Sequence, residues 1–235
     1  MIYLLATNNP GKAREIKPMF EAAGLELITL ADLGLSFEAG EDGQTFAHNA
    51  MQKARETADF LIDIGANCVR PGGCAGEHST PLQGDNPYRK FLSPFNIAVL
   101  ADDSGLAIDA LAGRPGVDSA LFMGRDTPYA EKCKRILDML ADVPDDKRTA
   151  RFICSLVCIR PDGSQLMAEG TIEGRIAHAM SGQGGFGYDP IFFYPPYGKT
   201  LAELTNNEKN HISHRGQAIQ KMIGLIKDAA DSGNK

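Results

Sequence analysis

The sequence predicts an α/β fold, because apolar runs typical of strands alternate with segments of helical periodicity. Residues 2–6 form a short apolar run typical of a buried strand, and residues 97–101 form another. After the first run, the apolar residues have the i, i+3, i+4, i+7 spacing of a helix, at Ile16, Met19, Phe20 and Ala23. Strand and helix therefore alternate from the start of the chain.

Later segments continue this alternation. The remaining predicted elements, in chain order, are a helix from about Phe46 to Leu61, an amphipathic helix over 130–140, a nearly all-apolar strand over 152–159, a strand over 165–176 and a last helix from about Ser213. A turn at 160–163 separates the last two strands.

The loop after the first strand has the features of an anion site. It consists of Thr7, Asn8, Asn9, Pro10, Gly11 and Lys12. Asn8 or Asn9 suits the N-cap and Pro10 the first helical turn, and free amides at a helix start favour an anion. Lys12 adds a positive charge for a phosphate. The ordinary alternative is a capped helix with a solvated lysine.

Two adjacent carboxylates, Asp102 and Asp103, follow the strand predicted at 97–101. Ligand crevices of α/β folds lie at the carboxyl ends of strands, and buried carboxylates need a compensating cation. Magnesium prefers one or two carboxylates together with waters and phosphates, so we expect Mg²⁺ here. Glu41 and Asp42 place further carboxylates at the entrance of a helix. Asp-Asp-Ser-Gly is also a good turn sequence, and acids also favour helix N-termini.

A glycine-rich loop at 184–190 combines two aromatic rings with a carboxylate. Its glycines permit positive φ angles and close backbone approach to a ligand. Phe186 or Tyr188 can stack on a planar heterocycle, and Asp189 can accept hydrogen bonds from its edge or from neighbouring backbone. The alternative is a glycine-rich hairpin loop with aromatic residues in the core.

Composition limits the class of protein. With 24 basic and 30 acidic residues the formal charge is -6, which argues against general binding to nucleic acid. No apolar run approaches the roughly 20 residues of a membrane span, and the N-terminus lacks the basic region of a signal peptide. We therefore expect a cytoplasmic protein with no membrane partner. Its 235 residues are expected to form one catalytic domain.

At these residues the chain resembles the inosine triphosphate pyrophosphatase family, hydrolases of non-standard purine nucleoside triphosphates. The matching motifs follow the family order and lie within 7–12, 41–54, 101–106, 115–120, 186–192 and 209–215. The resemblance implies an α/β fold with an elongated mixed central sheet, flanking helices and two lobes around an active-site cleft. It also implies a homodimer.

The resemblance further implies an activity and a set of roles. The reaction is Mg²⁺-dependent cleavage of ITP, dITP or XTP to the monophosphate and pyrophosphate. Asp103 is then the proton acceptor, with Glu41 and Asp103, and possible help from Asp102, holding the metal. The predicted substrate-binding residues are Thr7, Asn8, Asn9, Pro10, Gly11, Lys12, Lys53, Ser104, Phe186, Gly187, Tyr188, Asp189, Lys209, His214 and Arg215. Of these, the lysines are assigned to phosphate and Phe186 to stacking on the purine.

The chain departs from the family at two places. A segment rich in glycine and proline, residues 63–96, is predicted to be an insertion between a helix and the acidic strand. It contains a weak metal-like pattern, Cys68, Cys74 and His78, against which a plain loop is the ordinary alternative. At Leu121 the family usually has arginine.

Two other functions remain open from the sequence. A related pyrophosphatase acting on pyrimidine or modified nucleotides would share the phosphate chemistry and differ at the base. A non-catalytic nucleotide-binding module would need the phosphate and aromatic sites but not paired acids, so Asp102 and Asp103 weigh against it.

Overall fold

The protein, analysed as a computed structural model, is described over residues 1–69 and 97–232. In these ranges the strands are β1 (Ile2–Leu5), β2 (Glu26–Thr29), β3 (Ile97–Ile108), β4 (Thr149–Ile159), β5 (Gln165–Ile176), β6 (Phe192–Tyr194) and β7 (Lys199–Thr200). The α-helices are α1 (Pro10–Ala22), α2 (Phe46–Val69), α3 (Tyr129–Met139), α4 (Asn206–Ile212) and α5 (His214–Ser232).

The seven strands form one mixed sheet in the order β2-β1-β3-β4-β5-β6-β7. β1 pairs in parallel with β2 and with β3, whereas β6 pairs antiparallel with β5 and with β7. The predicted α/β class with a mixed central sheet and flanking helices is confirmed. No helix within residues 1–69 and 97–232 has the length and apolar character to cross a membrane.

The chain divides into two compact units. The first comprises Met1–Asp102, Leu156–Ala168 and the chain from Met222 on, and the second comprises Asp103–Ser155 and Glu169–Lys221. Three long strands, β3, β4 and β5, contribute residues to both units.

The first unit is built on β1 and the helix that follows it. The side chain of Asn9 accepts hydrogen bonds from the Gly11 amide at 2.9 Å and the Lys12 amide at 3.3 Å, so Asn9 is the N-cap of α1. Ile16 and Phe20 on α1 are fully buried, as their spacing predicts. On α2 the small residues Ala50 and Ala54 are buried against the sheet in a cluster with Val99 and Val157.

The structure corrects the predicted end of the acidic strand. β3 does not stop at residue 101 but runs through Asp102 and Asp103 to Ile108, so the turn alternative is also wrong. Leu106 and Ile108 are fully buried in the core of the second unit, and this apolar continuation keeps the strand extended. The parallel pairing of β1 with β3 ends earlier, at Leu5 and Leu100. The two acids therefore lie beyond the end of β1 rather than at the end of their own strand.

A second correction concerns α2, which continues beyond the predicted end near Leu61 to Val69. The first residues of the predicted insertion are thus helical. The remaining insertion residues, including Cys74 and His78, lie outside the described residues.

A large apolar cluster lies in the second unit. Its buried members include residues of β3, α3, β4 and β5, such as Ile108, Ile136, Phe152 and Ile172. Both α4 and α5 begin with a side-chain cap. Thr205 Oγ accepts from the Glu208 amide, and Ser213 Oγ accepts from the Gly216 amide at 3.0 Å. The α5 cap supports the predicted start of the last helix near Ser213.

Candidate active site

In the first unit, two lysines converge on Asp102. Lys12 Nζ lies 3.1 Å from Asp102 Oδ2 and donates to the Asp102 carbonyl at 3.4 Å. Lys53 Nζ, from α2, donates to the same carbonyl at 3.3 Å and lies 2.7 Å from Glu41 Oε1. We call Lys12, Lys53, Glu41 and Asp102 the lysine–acid cluster. It brings together four residues that are far apart in the sequence and that were predicted to bind phosphate or metal.

Burial makes the charges in this cluster interdependent. The Asp102 side chain has no exposed surface, and the Lys53 and Lys12 side chains are 9% and 14% exposed. A carboxylate at that depth is stable only beside cations. The loop that carries Glu41 is fixed by Asn49 on α2, which accepts a hydrogen bond from the Gly43 amide at 2.8 Å. The lysine–acid cluster is therefore held in place by α1, α2 and β3 together.

The Thr7–Lys12 loop differs from the predicted cradle of free amides. Because Asn9 caps α1, the Gly11 and Lys12 amides already have an acceptor. Thr7 Oγ accepts from the Asn9 amide at 3.1 Å, and Asn8 Nδ2 donates to the Phe37 carbonyl at 3.0 Å. In this conformation, the groups of the loop that can attract an anion are the Lys12 ammonium and the positive end of α1.

In the second unit, the glycine loop is closed by Asp189. Its Oδ2 accepts from the Phe186 amide at 2.7 Å and pairs with Lys209 Nζ, with both side chains only 3% exposed. Gly185 and Gly187 both have φ near 68°. A Cβ at Gly185 would also overlap the Asp189 carboxylate, so this loop requires glycine there. Two of the loop glycines thus adopt the positive φ angles that the sequence was predicted to permit.

Two cations lie over the Phe186 ring. Lys209 Nζ lies 4.9 Å from the ring centroid and Arg215 Cζ lies 5.2 Å from it. Arg215 is buried, and its Nη2 donates to Ser104 Oγ at 2.7 Å. We call Phe186, Lys209, Arg215 and Ser104 the aromatic–cation cluster. The partly exposed ring can stack on a planar base, and the fixed guanidinium can donate hydrogen bonds to the edge of that base.

Two residues predicted to contact the base have contacts within the protein. Tyr188 is 2% exposed, and its hydroxyl donates to the Ser119 carbonyl at 2.8 Å. Burial raises the pKa of Tyr188. His214 is 3% exposed and stacks on Phe152, with ring centroids 4.7 Å apart. Their contacts support positioning roles, and direct contact with the base stays a prediction.

Sequence reasoning missed a buried lysine. Lys132 on α3 is 1% exposed, and its Nζ donates to the Ala120 carbonyl at 2.6 Å. Burial lowers the pKa of Lys132. Next to Ala120, Ser119 Oγ accepts from the Leu106 amide at 2.9 Å, so Lys132, Tyr188 and β3 all hold the same short segment. No sequence signal separates Lys132 from an ordinary surface lysine on an amphipathic helix.

The carboxylates have the oxygen donors that magnesium prefers. Asp102 and Asp103 are 1% and 4% exposed and offer hard oxygen ligands, as does Glu41. Within the described ranges, no group of three or more His, Cys, Asp or Glu residues is arranged to hold a metal ion. An all-protein cage is therefore not formed by these residues, whereas magnesium commonly takes one or two carboxylates and completes its shell with phosphates and waters.

Fold and clusters together define an α/β protein that combines buried acids and lysines with an aromatic face flanked by cations. The sequence model of the Ham1 family matches residues 3–70 and 83–225. The chain therefore belongs to the Ham1 family. Within the predicted insertion, residues 71–82 fall between the two matched stretches.

Named relatives and a solved structure agree with this assignment. The chain is 37% identical over 225 residues to a dITP/XTP pyrophosphatase from Clostridium perfringens, covering 96% of this chain and 97% of the relative. It is 40% identical over 227 residues to a dITP/XTP pyrophosphatase from Shigella flexneri, covering 96% and 98%. The Staphylococcus aureus Ham1 protein superposes with a TM-score of 0.74 at 30% identity, covering 97% of this chain and all of that one.

Proposed function

We propose that this protein is a magnesium-dependent pyrophosphatase of non-standard purine nucleoside triphosphates such as dITP, ITP and XTP. The observation that carries the proposal is the lysine–acid cluster, in which Lys12 and Lys53 meet at Asp102, next in sequence to Asp103. The activity in the names of the relatives supports the same reaction. The products are the nucleoside monophosphate and pyrophosphate.

Each group of residues has a distinct task in the reaction. Lys12 and Lys53 bind the phosphates, and Asp103 accepts a proton from the water that attacks the α phosphorus in line. Glu41 and Asp103, with Asp102, would hold magnesium, which neutralises charge on the phosphates when bound.

The aromatic–cation cluster serves the base. Phe186 stacks on the purine, and Arg215 donates to the 6-oxo group. Adenine carries a donor at that position and would offer Arg215 no acceptor on the base, which is the basis of selection. Lys209 was predicted to bind phosphate, but it lies at the Phe186 ring and pairs with Asp189, so we assign it to the base. We further propose a cytoplasmic homodimer, as in the family that the sequence resembles.

A product and substrate screen tests the reaction. Inosine, xanthosine, guanosine, adenosine and pyrimidine triphosphates are compared in oxygen-18 water with and without magnesium. We expect turnover of the inosine and xanthosine forms, pyrophosphate as the first product and the label in the monophosphate. Orthophosphate as the first product, or label in pyrophosphate, contradicts the proposed attack. Preferred turnover of pyrimidine nucleotides favours the alternative substrate class.

A matched pair of lysine variants tests the phosphate role. Lys12 and Lys17 lie on the same helix, but the Lys17 side chain is 43% exposed and pairs with Asp32 at 3.7 Å. Lys12→Met should lower kcat/KM by roughly 10- to 150-fold, the scale of a lost hydrogen bond to a charged group. Lys17→Met removes the same charge and should change kcat/KM by less than about threefold. Equal effects of the two variants would show that only net charge matters.

A further inference from the structure

The main chain of β5 lies in close contact with the first two turns of α5. We call this contact the β5–α5 seam. It consists of Glu169, Gly170 and Thr171 on β5 and of His214, Gln217, Ala218 and Lys221 on α5. None of these residues except His214 was assigned to the nucleotide by its sequence motif, and all lie in the second unit.

Gly170 allows the two backbones to touch. A Cβ at Gly170 would overlap the His214 carbonyl oxygen and would lie 2.7 Å from the Ala218 amide nitrogen. Both of these are main-chain atoms of α5, so no side-chain movement could relieve the overlap. Any larger residue at 170 must push the start of α5 away from the strand.

Gln217 holds the helix at this distance. Its Nε2 donates to the Thr171 carbonyl on β5 and to the Ile212 carbonyl at the end of α4, each at 2.9 Å. Lys221 Nζ, one turn further along α5, donates to the Glu169 carbonyl at 2.7 Å. One amide group thus joins β5, the end of α4 and the start of α5, and this fixes how α5 sits on the strand.

The helix turn held by the seam carries Arg215. This residue lies between His214, whose carbonyl faces Gly170, and Gly216, where a Cβ would overlap the Asn210 carbonyl oxygen. The guanidinium reaches Ser104 Oγ at 2.7 Å and lies 5.2 Å from the Phe186 centroid. Hydrogen bonds weaken steeply with distance and angle, so a small displacement of this turn removes the donor from its acceptor.

We propose that Gly170 and Gln217 are positioning residues that set the base preference of the enzyme through Arg215. The inference rests on the proposed function, because it takes Arg215 as the group that reads the base. Neither residue contacts substrate in this proposal. They keep the Arg215 guanidinium at the position from which it can donate a hydrogen bond to a 6-oxo group.

The first test uses an isosteric change with a charge-matched control. Gln217→Glu keeps the shape of the side chain but replaces the donor with an oxygen facing two carbonyls. Gln220→Glu makes the same charge change at an exposed position on the same helix. The readout is the ratio of kcat/KM for inosine triphosphate to that for adenosine triphosphate. We expect Gln217→Glu to lower this ratio by about 5- to 100-fold, the scale of a misplacement near 1 Å, and Gln220→Glu to leave it within twofold.

The second test separates positioning from loss of stability. Gly174 is also on β5, but a Cβ there would meet the Phe193 carbonyl oxygen at 2.6 Å and the Phe192 ring at 2.7 Å, away from α5. Gly170→Ala and Gly174→Ala should both lower the melting temperature. Only Gly170→Ala should change the base ratio, and it should also speed amide hydrogen exchange in the first turns of α5.

The outcomes distinguish this inference from the proposed function. If the wild-type protein shows no preference for inosine triphosphate, the proposed function fails and the inference fails with it. If the preference is present and survives Gln217→Glu, only the inference is overturned. A change in the ratio of equal size in Gln220→Glu or Gly174→Ala also overturns it, because a general charge or stability effect would then explain the result.

Discussion

Exchange of Asp189 for asparagine removes the negative charge opposite the Lys209 ammonium while keeping an oxygen for the Phe186 amide. Both side chains of the pair are only 3% exposed, so solvent screens the interaction little. Removing one member of such a buried pair costs about 3 to 5 kcal/mol. Since asparagine keeps the hydrogen bond from the Phe186 amide, we expect Asp189→Asn to lower the free energy of unfolding by about 3 kcal/mol, the lower end of this range.

The assay is urea unfolding monitored by circular dichroism. If the free energy of unfolding falls by about 2 kcal/mol per M urea, this loss of stability lowers the urea concentration at the unfolding midpoint by about 1.5 M. Glu173→Gln is the control, because Glu173 pairs with Arg151 at 3.0 Å but its side chain is 65% exposed. This variant should lower the free energy of unfolding by less than about 1 kcal/mol. The KM for the nucleotide should also rise in Asp189→Asn, since the Phe186 loop loses its anchor.

A double-mutant cycle decides whether the pair is the cause. Asp189→Asn combined with Lys209→Met should lose clearly less stability than the sum of the two single variants, with a coupling of about 2 kcal/mol or more. A loss below about 1 kcal/mol for Asp189→Asn would refute the reasoning, as would simple additivity in the double variant.

Three further predictions concern catalysis, selectivity and pH. Asp103→Asn should lower kcat by about 10²- to 10⁴-fold at saturating magnesium, and retention of a tenth of the wild-type kcat would exclude the proton-acceptor role. Arg215→Ala should reduce the preference for inosine over adenosine triphosphate by about 1 to 3 kcal/mol, whereas equal losses on both substrates would place Arg215 in the scaffold. Burial raises the pKa of Cys133 and of Cys158 to about 12. Each neutral thiol therefore contributes to the free energy of unfolding below its unfolded pKa. This contribution is lost as pH rises from about 9 to 12. Urea unfolding at pH 8 and pH 10 should show this fall, with a smaller fall in Cys133→Ala, and identical pH slopes in the two proteins would count against it.

Elements with strong local signals could be predicted from the sequence. Strand β5 was predicted over 165–176 and has these bounds, because the turn before it marks its start. The cap at Asn9 is likewise a local effect, since the capping side chain and the amides are within three residues. Family motifs also brought Lys53 and Glu41 into the predicted set.

Features that depend on distant partners were not predictable. The extension of β3 to Ile108 places Leu106 and Ile108 among apolar neighbours of the second unit, and the polar residues 102–104 hide this continuation in the sequence. The Asp189–Lys209 pair joins residues 20 apart, so both looked like ligands rather than partners. Arg148 is a similar case. This residue is 1% exposed, and its guanidinium donates to the carbonyls of Leu140, Ile176 and Ala177, although its sequence context is an ordinary charged loop.

The contacts of Lys12 and Lys53 have a consequence for the turnover cycle. Both ammonium groups already have oxygen partners within the protein, at Asp102 and Glu41. In the proposed reaction a triphosphate must therefore take these lysines over from protein oxygens, and the free energy gained is the difference between the two sets of contacts. The same exchange runs in reverse after cleavage, when Asp102 and Glu41 compete with pyrophosphate for the lysines. We therefore expect such a site to hold a polyanion only moderately, to regain its internal pairing as the product leaves, and to show no strong product inhibition by pyrophosphate.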